Sequence, residues 1–531
     1  MNCAPPELLF LEAKQTFPAP RLRGYVWRQS SGDVALNVSS LRLAVHALGV
    51  LVLICQASAA LLSYVQVAAL WDLADAPQAA AVFTAVGQKL QGSAVHVLGT
   101  GLRSTLATPE LLIFSITAPQ IAASAAFVAL SAILMFSRHS IDDSIIRALM
   151  RWPLVFACAA AFAYPIYTQD FWLSAAWGRM IASGLNPYYE QFTPGSLDGL
   201  PLDHFPMAMS YGPLWGLLSG LVMMISGSNV ALAGILFKLV LAAAWIGSLV
   251  AVYVVTASRP TLERALAITV FGWAPISISQ SVAEGHNDVV MAALALLWFL
   301  WLMRGRSAAP LALVASVLCK YVTAPLFILD LIWKRGHHRM SLVAYAGHLA
   351  LPAVLGVGVL AIFYRSLAYF DGLRLISTWE AMRPRDAIAA LEIWTGLALT
   401  PLSFAVVLLF PAVALYATWA AFREPSFETM ARAALAIISA IVFSAISHPW
   451  PWYLVTVLAF AAVVPRWWLA RFVTGVALMA PLTLTFWWLP EWEDHKQFAA
   501  LAMYGSGVLW MLVTAGVGAG RLQLEPEPAR R

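Results

Sequence analysis

Three groups of polar side chains stand out in a chain that is otherwise strongly apolar. Asp170 opens the stretch 167–213, which is rich in acids, aromatics and prolines and lies between apolar runs. The second group is the sequence Glu284-Gly-His-Asn-Asp288, and the third is Lys320, which lies inside an apolar run. A carboxylate can remove a proton from a hydroxyl group, and an ammonium can bind a phosphate. These groups are therefore candidates for chemistry at a membrane face.

Asp170 lies where a predicted spanning helix reaches the membrane edge. If that helix continues, Asp170, Ser174 and Trp177 share one face, which would look into a groove outside the membrane. Loss of water raises the proton affinity of a carboxylate, which suits a general base. The alternative is an inert, hydrogen-bonded acid at the water boundary, and position alone does not decide between the two interpretations.

The segment 284–288 precedes an apolar helix that continues as VVMAALALLWFLWLM. An N-cap formed by Asn287 or Asp288 would satisfy free backbone N–H groups. That interpretation explains one polar residue and leaves Glu284 and His286 without a role. A helix N-terminus beside His286 could also hold a phosphate or sugar hydroxyls, so a functional role is favoured.

The position of Lys320 is energetically unfavourable, because inserting a charged side chain within an apolar run costs roughly 2.5–3.5 kcal/mol of free energy. A lipid-linked phosphate would compensate this cost. The alternative is that the ammonium reaches an interface by snorkelling. Lys320 lies about a dozen residues from either end of the run 309–333, which makes snorkelling difficult along an uninterrupted helix.

The composition predicts the elements that must position these residues. Of the 531 residues, 61% are hydrophobic and 11% are charged, and the mean hydropathy is +0.77, whereas soluble domains carry about 25% charged residues. Many runs are long enough to cross roughly 30 Å of hydrocarbon. Because the runs are continuously apolar and do not alternate, we expect an all-α, polytopic transmembrane helical bundle with about 12–14 membrane segments.

The basic residues fall in short connections between the apolar runs, which is the positive-inside pattern and argues against a nucleic-acid partner. Placing them all in the cytoplasm requires that the run 211–227 dips in and returns, and that the run 309–333 forms two short segments meeting near Lys320. The four cysteines show no metal-binding spacing. The expected spanning runs are 43–70, 111–136, 152–168, 230–257, 265–282, 288–303, 341–364, 397–421, 433–447, 452–464, 472–489 and 498–519.

These runs predict one membrane domain over residues 42–519, with cytoplasmic tails at 1–41 and 520–531. The opposite face then collects the loops 71–110, 168–210 and 365–396, of which 168–210 is the predicted extracytoplasmic catalytic loop. Its further acids and histidine are Glu190, Asp198, Asp203 and His204. Loop arginines on that face, and the aromatic bend 448–453, could bind an anionic head group and a sugar face, although solvated loops and interface aromatics are equally consistent.

Five segments together resemble the GT-C superfamily of integral membrane glycosyltransferases. They are most similar to bacterial polyprenyl-phosphate-mannose-dependent α-1,6-mannosyltransferases. In chain order the segments are QDFWLSAAWGRMIASGLNPYY (169–189), SYGPLW (210–215), EGHNDVVMAAL (284–294), LCKY (318–321) and HPWPWY (448–453). Each is weak alone, and the order of all five on a polytopic chain is specific. The sequence DFWLSAAWGR stands where many relatives carry tyrosines.

The resemblance implies an inverting transferase that moves a hexose, with mannose favoured, from a polyprenyl-phosphate carrier to a glycan or glycolipid. The acceptor hydroxyl would be deprotonated by Asp170 on the extracytoplasmic face of a bacterial inner membrane. No cofactor is expected, although Asp170 with Asp288 could hold a divalent cation. The predicted donor or phosphate ligands are Lys320, His286, Asn287, Asp288, Arg383 and Arg385, with Arg374 as a further candidate. The predicted sugar or acceptor ligands are Arg179, Tyr188, Tyr211, Glu284, His448, Trp450 and Tyr453.

Two other functions compete with this interpretation. A lipid or polyol transporter, or a flippase, would also show broken helices and charges inside the membrane. Against it stand the missing inverted repeat and the scarcity of carboxylates in the apolar runs. A non-catalytic assembly subunit would leave Asp170, the segment 284–288 and Lys320 unexplained.

Overall fold

The computed structural model describes residues 36–70, 109–165, 169–192, 200, 208–377, 382–487 and 492–519. Every regular element within these ranges is helical, which confirms the all-α class. The longer helices are α1 (Val38–Leu70), α2 (Pro109–Phe136), α3 (Asp143–Ala161), α4 (Asp170–Ala182), α5 (Pro213–Ser226), α6 (Val230–Val255), α7 (Thr261–Gly272), α8 (Asp288–Met303), α9 (Ala309–Cys319), α10 (Phe327–His338), α11 (Leu342–Phe363), α12 (Asp371–Ser377), α13 (Pro384–Thr395), α14 (Thr400–Arg423), α15 (Phe427–Ala440), α16 (Tyr453–Val463), α17 (Trp468–Trp487) and α18 (Trp492–Ala519).

Eight helices of the described residues are long and apolar enough to cross a membrane, and a ninth span results if one bent pair is counted as a unit. The protein is therefore a multi-pass membrane protein. The other expected segments include shorter apolar helices of 10–17 residues, such as α5, α8, α9 and α16. Full spans need about 20 residues, so eight or nine of the expected 12–14 segments have the length of a complete span within the described residues.

Two expected spans differ from the structure. The helix of the run 152–168 ends at Ala161 and begins earlier than expected, at Asp143, where the Asp142 side chain accepts hydrogen bonds from the backbone N–H groups of Ser144 and Ile145. The run 265–282 is broken: α7 ends at Gly272, and a second segment, Pro275–Ala283, continues at an angle of 51°. Proline lacks an N–H donor and fits the first turn of a new helix, which explains the break.

The predicted interruption of the run 309–333 is confirmed. Helix α9 ends at Cys319, Lys320 has extended backbone angles, and a 3₁₀ helix over Tyr321–Leu326 leads into α10. Non-helical backbone at this depth is tolerated where protein surrounds it. The lysine therefore lies at a helix break, where its side chain is free to face other helix ends.

An ion-pair network joins three of the basic connections at one end of the bundle. Arg259 pairs with Glu263 and Glu428, and Arg466 lies 3.5 Å from Glu263. These connections carry basic clusters that the charge pattern assigns to the cytoplasm. Helix α6 ends near this network at Val255. Lys238 lies about 25 Å back along the same helix, at 1.5 Å per residue, beside the site described below.

Several predicted features lie outside the described residues. These are the two tails, apart from residues 36–41, nearly all of the loop 71–110, and the part of the loop 168–210 that carries Asp198, Asp203 and His204. The division into tails, membrane domain and outer catalytic loop stays a prediction.

Gly212 brings the loop before α5 into direct contact with the helix break. Its N–H donates to the carbonyl of Cys319 at 2.9 Å. A Cβ atom at this position would lie 2.1 Å from the carbonyl oxygen of Leu318. Only glycine permits this approach, which places Tyr211 beside Lys320.

We expect Gly212→Ala to destabilise the protein by about 1–3 kcal/mol, because an added methyl group must displace backbone in a packed region. Gly247→Ala is the matched control, since nothing lies within 4 Å of that position on the exposed face of α6. Thermal unfolding of both variants in the same detergent measures the difference. Equal melting temperatures for Gly212→Ala and wild type would contradict the packing argument.

Candidate functional site

Asp170 is the first residue of helix α4 and is not the end of α3. The condition that the spanning helix continues through Asp170 is therefore not met, and a new helix carries Asp170, Ser174 and Trp177. A carboxylate at a helix N-terminus is stabilised by the free N–H groups and by the helix dipole. The side chain of Asp170 is 25% exposed, so it is accessible to a ligand while its surroundings are mostly protein.

Two side chains from other elements hold the carboxylate of Asp170. The hydroxyl of Tyr211 donates to Oδ2 at 2.8 Å, and Nδ1 of His286 lies 3.3 Å from the same oxygen. Oδ1 accepts no hydrogen bond from the described part of the chain. One carboxylate oxygen is therefore fixed by the protein, and the other is available to an incoming hydroxyl group.

The surroundings of Asp170 favour its charged form. Burial alone raises the pKa of this carboxyl, but His286, the Tyr211 hydrogen bond and the charge of Lys320 outweigh burial and lower the pKa below its ordinary value. The expected rise in proton affinity is wrong in direction, because the sequence could not show the hydrogen-bond donors. Burial and the neighbouring Asp170 charge raise the pKa of Tyr211 well above its ordinary value, so the phenol keeps the proton that it donates.

Ser174 and Trp177 do lie on the face of α4 that carries Asp170, but this face is buried. The indole Nε1 of Trp215 donates to Ser174 Oγ at 3.0 Å, and the ring of Trp177 meets that of Tyr211 edge to face at 5.6 Å. The face packs against the segment 211–215 and does not line an open groove. Its role is to place Tyr211 next to Asp170.

The segment 284–288 reaches the site from the broken helix. The backbone N–H of Glu284 donates to Ser279 O at 2.7 Å, in a π-helical turn, and Gly285 has φ of +81°. Asn287 makes no side-chain cap at α8, so the N-cap interpretation does not apply to it. Both amide atoms of Asn287 are buried and find no hydrogen-bond partner in the described residues. Buried polar groups are normally paired, so this amide has capacity for a ligand.

Lys320 and Asp288 form a buried ion pair. The ammonium lies 3.0 Å from Oδ1 and 2.9 Å from Oδ2 of Asp288, with side chains 9% and 1% exposed. The ammonium also lies 4.1 Å from the ring centroid of Tyr453. The charge of Lys320 is thus compensated within the protein. Asp288, predicted as a donor or phosphate ligand, pairs with the lysine in this structure, and its role toward a ligand stays a prediction.

The aromatic bend 448–453 forms one wall of the cluster. The ring of Trp452 stacks on His286 at 4.2 Å, and Trp450 stacks on Trp452 at 5.2 Å. His448 is buried behind them, with Nδ1 2.9 Å from Ser447 Oγ. The predicted residues Trp450 and Tyr453 therefore reach the site. Trp452, the residue that orients His286, was not among the predicted site residues.

Four other predicted residues lie further from Asp170 or support the site indirectly. The Tyr188 hydroxyl donates to the backbone carbonyl of Tyr211 at 2.8 Å and so supports its position. Arg179 lies in the last turn of α4, about 13 Å along the helix from Asp170. Arg383 directly precedes α13 and pairs with Asp386 at 3.7 Å. The exposed Arg385 lies in α13, which packs mainly on α14 and α18.

The described residues contain no group of three or more histidine, cysteine, aspartate or glutamate side chains suited to hold a metal ion. The sequence analysis considered a divalent cation between Asp170 and Asp288, but in the structure Asp288 is paired with Lys320. The ammonium of Lys320 lies against Asp288 at the position where a bound cation would contact that carboxylate.

Lys238 is a functional candidate that the sequence analysis did not identify. It lies in the N-terminal third of α6, and its ammonium donates to the carbonyls of Val282 (2.7 Å) and Ala283. The signal was present, because a lysine inside a long apolar run carries the same insertion cost that singled out Lys320.

The five sequence segments therefore meet at one cluster formed by helix ends. A family model described as alpha-(1->6)-mannopyranosyltransferase, N-terminal domain, matches residues 76–364, which is more than half of the chain. The chain belongs to this family. No curated protein and no solved structure matches the chain. The resemblance to mannosyltransferases is thus confirmed, and the protein is a membrane glycosyltransferase of the mannosyltransferase type.

The buried ion pair gives the mannosyltransferase a stability test. Lys320→Met leaves Asp288 as an unpaired buried charge, and breaking such a pair costs about 3–5 kcal/mol. We expect Lys320→Met to lower the melting temperature in detergent strongly, and the double variant Lys320→Met/Asp288→Asn to recover much of the loss. A double variant as unstable as the single one would show that the lysine acts through something other than Asp288.

Proposed function

We propose that this mannosyltransferase moves a mannosyl group from a polyprenyl-phosphate carrier to a hydroxyl group of a glycan or glycolipid, with Asp170 as the general base. The observation that supports the proposal most is the geometry of the Asp170 carboxylate, which is held on Oδ2 by Tyr211 and His286 and accepts no hydrogen bond on Oδ1 from the described residues. This arrangement lies beside the ion pair of Lys320 and Asp288. Family membership supplies the transferase class and the sugar.

The proposed reaction needs one proton transfer and one displacement. Oδ1 of Asp170 takes the proton of the acceptor hydroxyl while that oxygen forms a bond to the anomeric carbon. The bond between the anomeric carbon and the phosphate oxygen breaks, and its electron pair leaves with the polyprenyl phosphate. A single in-line displacement inverts the configuration at the anomeric carbon. The second carboxylate of the cluster, Asp288, is occupied by Lys320 and is not free to act as a nucleophile.

The remaining groups suit a sugar and a phosphate. The unpaired amide of Asn287 can exchange hydrogen bonds with sugar hydroxyls, and the stacked rings of Trp450 and Trp452 offer an apolar face. In this proposal Lys320 retains a phosphate-directed role through its remaining donor capacity. Arg374, Arg383 and Arg385 are the candidates for further positive charge.

We place the site on the extracytoplasmic side of a bacterial inner membrane, with both termini in the cytoplasm. The ion-pair network of Arg259, Glu263, Glu428 and Arg466 lies at one end of the bundle among the basic connections. The Asp170 cluster lies toward the other end of α6. By the positive-inside pattern, the basic end faces the cytoplasm.

A transporter would share the broken helices of this protein. Family membership favours transfer, and product analysis separates the two functions. A transferase incubated in detergent with a polyprenyl-phosphate-mannose donor and a short α-mannoside releases polyprenyl phosphate and extends the mannoside. A transporter leaves both compounds unchanged.

We expect Asp170→Asn to reduce the rate of mannosyl transfer by about 100- to 10,000-fold, the contribution typical of a positioned general base. Radiolabelled donor with an α-mannoside acceptor measures the rate, and donor binding should persist. Asp143→Asn is the matched control, since that side chain is 76% exposed and pairs at 3.7 Å with Arg264, which is not a proposed site residue. A rate near wild type for Asp170→Asn would remove Asp170 from the mechanism.

The lowered pKa of Asp170 gives a pH test with a defined sign. Activity should be present above the pKa of Asp170 and be lost as the pH falls through it, because only the carboxylate accepts a proton. Tyr211→Phe removes a hydrogen bond that favours the carboxylate, so the acid limb of kcat/KM should move to higher pH. Tyr416→Phe, on an exposed face of α14, should leave the limb in place. A limb unmoved in Tyr211→Phe would exclude Asp170 as the titrating group.

A further inference from the structure

Lys238 is a buried cation in a membrane-spanning helix that belongs to none of the predicted groups. It is 9% exposed, and it lies in α6, whose other described residues from Val230 to Val255 carry no charge. Its ammonium donates to the carbonyls of Val282 and Ala283. A charge inside a spanning helix is energetically costly, which implies that these contacts have a specific role.

The two carbonyls belong to the end of the broken helix. Its last turn, Ser279–Ala283, is π-helical, and the chain then turns toward His286. The last carbonyls of a helix lack partners within the helix and form the negative end of its dipole. The ammonium of Lys238 therefore stabilises this helix end in its observed place.

The turn that follows is pressed against the neighbour of Asp170. Gly285 has φ of +81°, and a Cβ atom there would lie 2.3 Å from the ring of Phe171. The ammonium of Lys238 lies 5.4 Å from the centroid of the same ring. Lys238, Gly285 and Phe171 thus form one contact between α6, the helix end and the start of α4.

Lys238 also has a countercharge within reach. The carboxylate of Glu284 interacts electrostatically with it and is itself buried. On another side, Glu284 lines a small pocket together with Gln56, Gln120 and Ser279. Both charged residues are therefore buried within the protein.

We propose that Lys238 is a positioning residue: by holding the carbonyls of residues 282 and 283, it fixes the turn that sets His286 against Asp170. It touches neither of those two side chains and acts through the backbone of the turn. The proposal rests on the proposed function, since its kinetic effect assumes that Asp170 is the base. Its structural effect, the contact between His286 and Asp170, does not depend on which reaction occurs.

The test is Lys238→Met, which keeps an unbranched chain and removes the charge. An apolar side chain inserts into the membrane more readily than lysine, so a failure to insert is not expected. We expect kcat for mannosyl transfer to fall about 100-fold, the effect of a displacement of about 1 Å in a catalytic group. The KM for the donor should change little. The acid limb of the pH profile should move to higher pH, because His286 no longer favours the Asp170 carboxylate.

Lys334→Met is the matched control, because Lys334 is also a buried lysine but lies near the opposite end of α10 from Lys320. It should leave kcat and the acid limb unchanged. A structure of Lys238→Met should show His286 beyond hydrogen-bond distance from Asp170. An intact His286–Asp170 contact, or a wild-type kcat and acid limb, would overturn the positioning role. A wild-type enzyme inactive with every donor would instead refute the proposed function, and the structural comparison would still test Lys238.

Discussion

The contact between Lys320 and Asp288 constrains the whole site, because both charges lie in an apolar bundle and each needs the other. The pairing brings the break after α9 against the first residue of α8. Tyr453 at the start of α16 covers the ammonium with its ring. Removing two charges from water is costly, and close bidentate geometry is what makes such a pair tolerable. Three helix ends are thereby fixed relative to one another.

Helix ends supply most of the site. Asp170 begins α4, Asp288 begins α8, and Lys320 follows the end of α9. Helix termini expose N–H and C=O groups that the helix cannot satisfy, and inside a membrane only other protein groups or ligands can pair with them. The same requirement explains why a lysine from α6 reaches the carbonyls at residues 282 and 283. Short helices are thus the means by which an apolar bundle accommodates polar chemistry.

The spans and the break at Lys320 were predictable because hydrophobicity and chain length are local properties. The break at Pro275, the helix start at Asp170 and the sign of its pKa shift were not, since each depends on partners distant in sequence. Tyr211 lies 41 residues from Asp170, and His286 is oriented by Trp452 from the far half of the chain. Lys238 was predictable from the sequence by the same criterion as Lys320, because both are charged residues inside long apolar runs.

In the proposed mechanism, charge balance limits how the donor phosphate can enter this site. Lys320 and Asp288 cancel, so the ionised Asp170 leaves the cluster negative, and a phosphate brought beside it would be repelled. The phosphate must therefore approach Lys320 on the side away from Asp288 and gain positive charge from elsewhere. In that mechanism the arginines of α12 and α13, including Arg374 and Arg385, are the candidates for this charge. The proposed base, which stays ionised, and the proposed leaving group, which is anionic, thus require opposite ends of the same short cluster, with Lys320 between them.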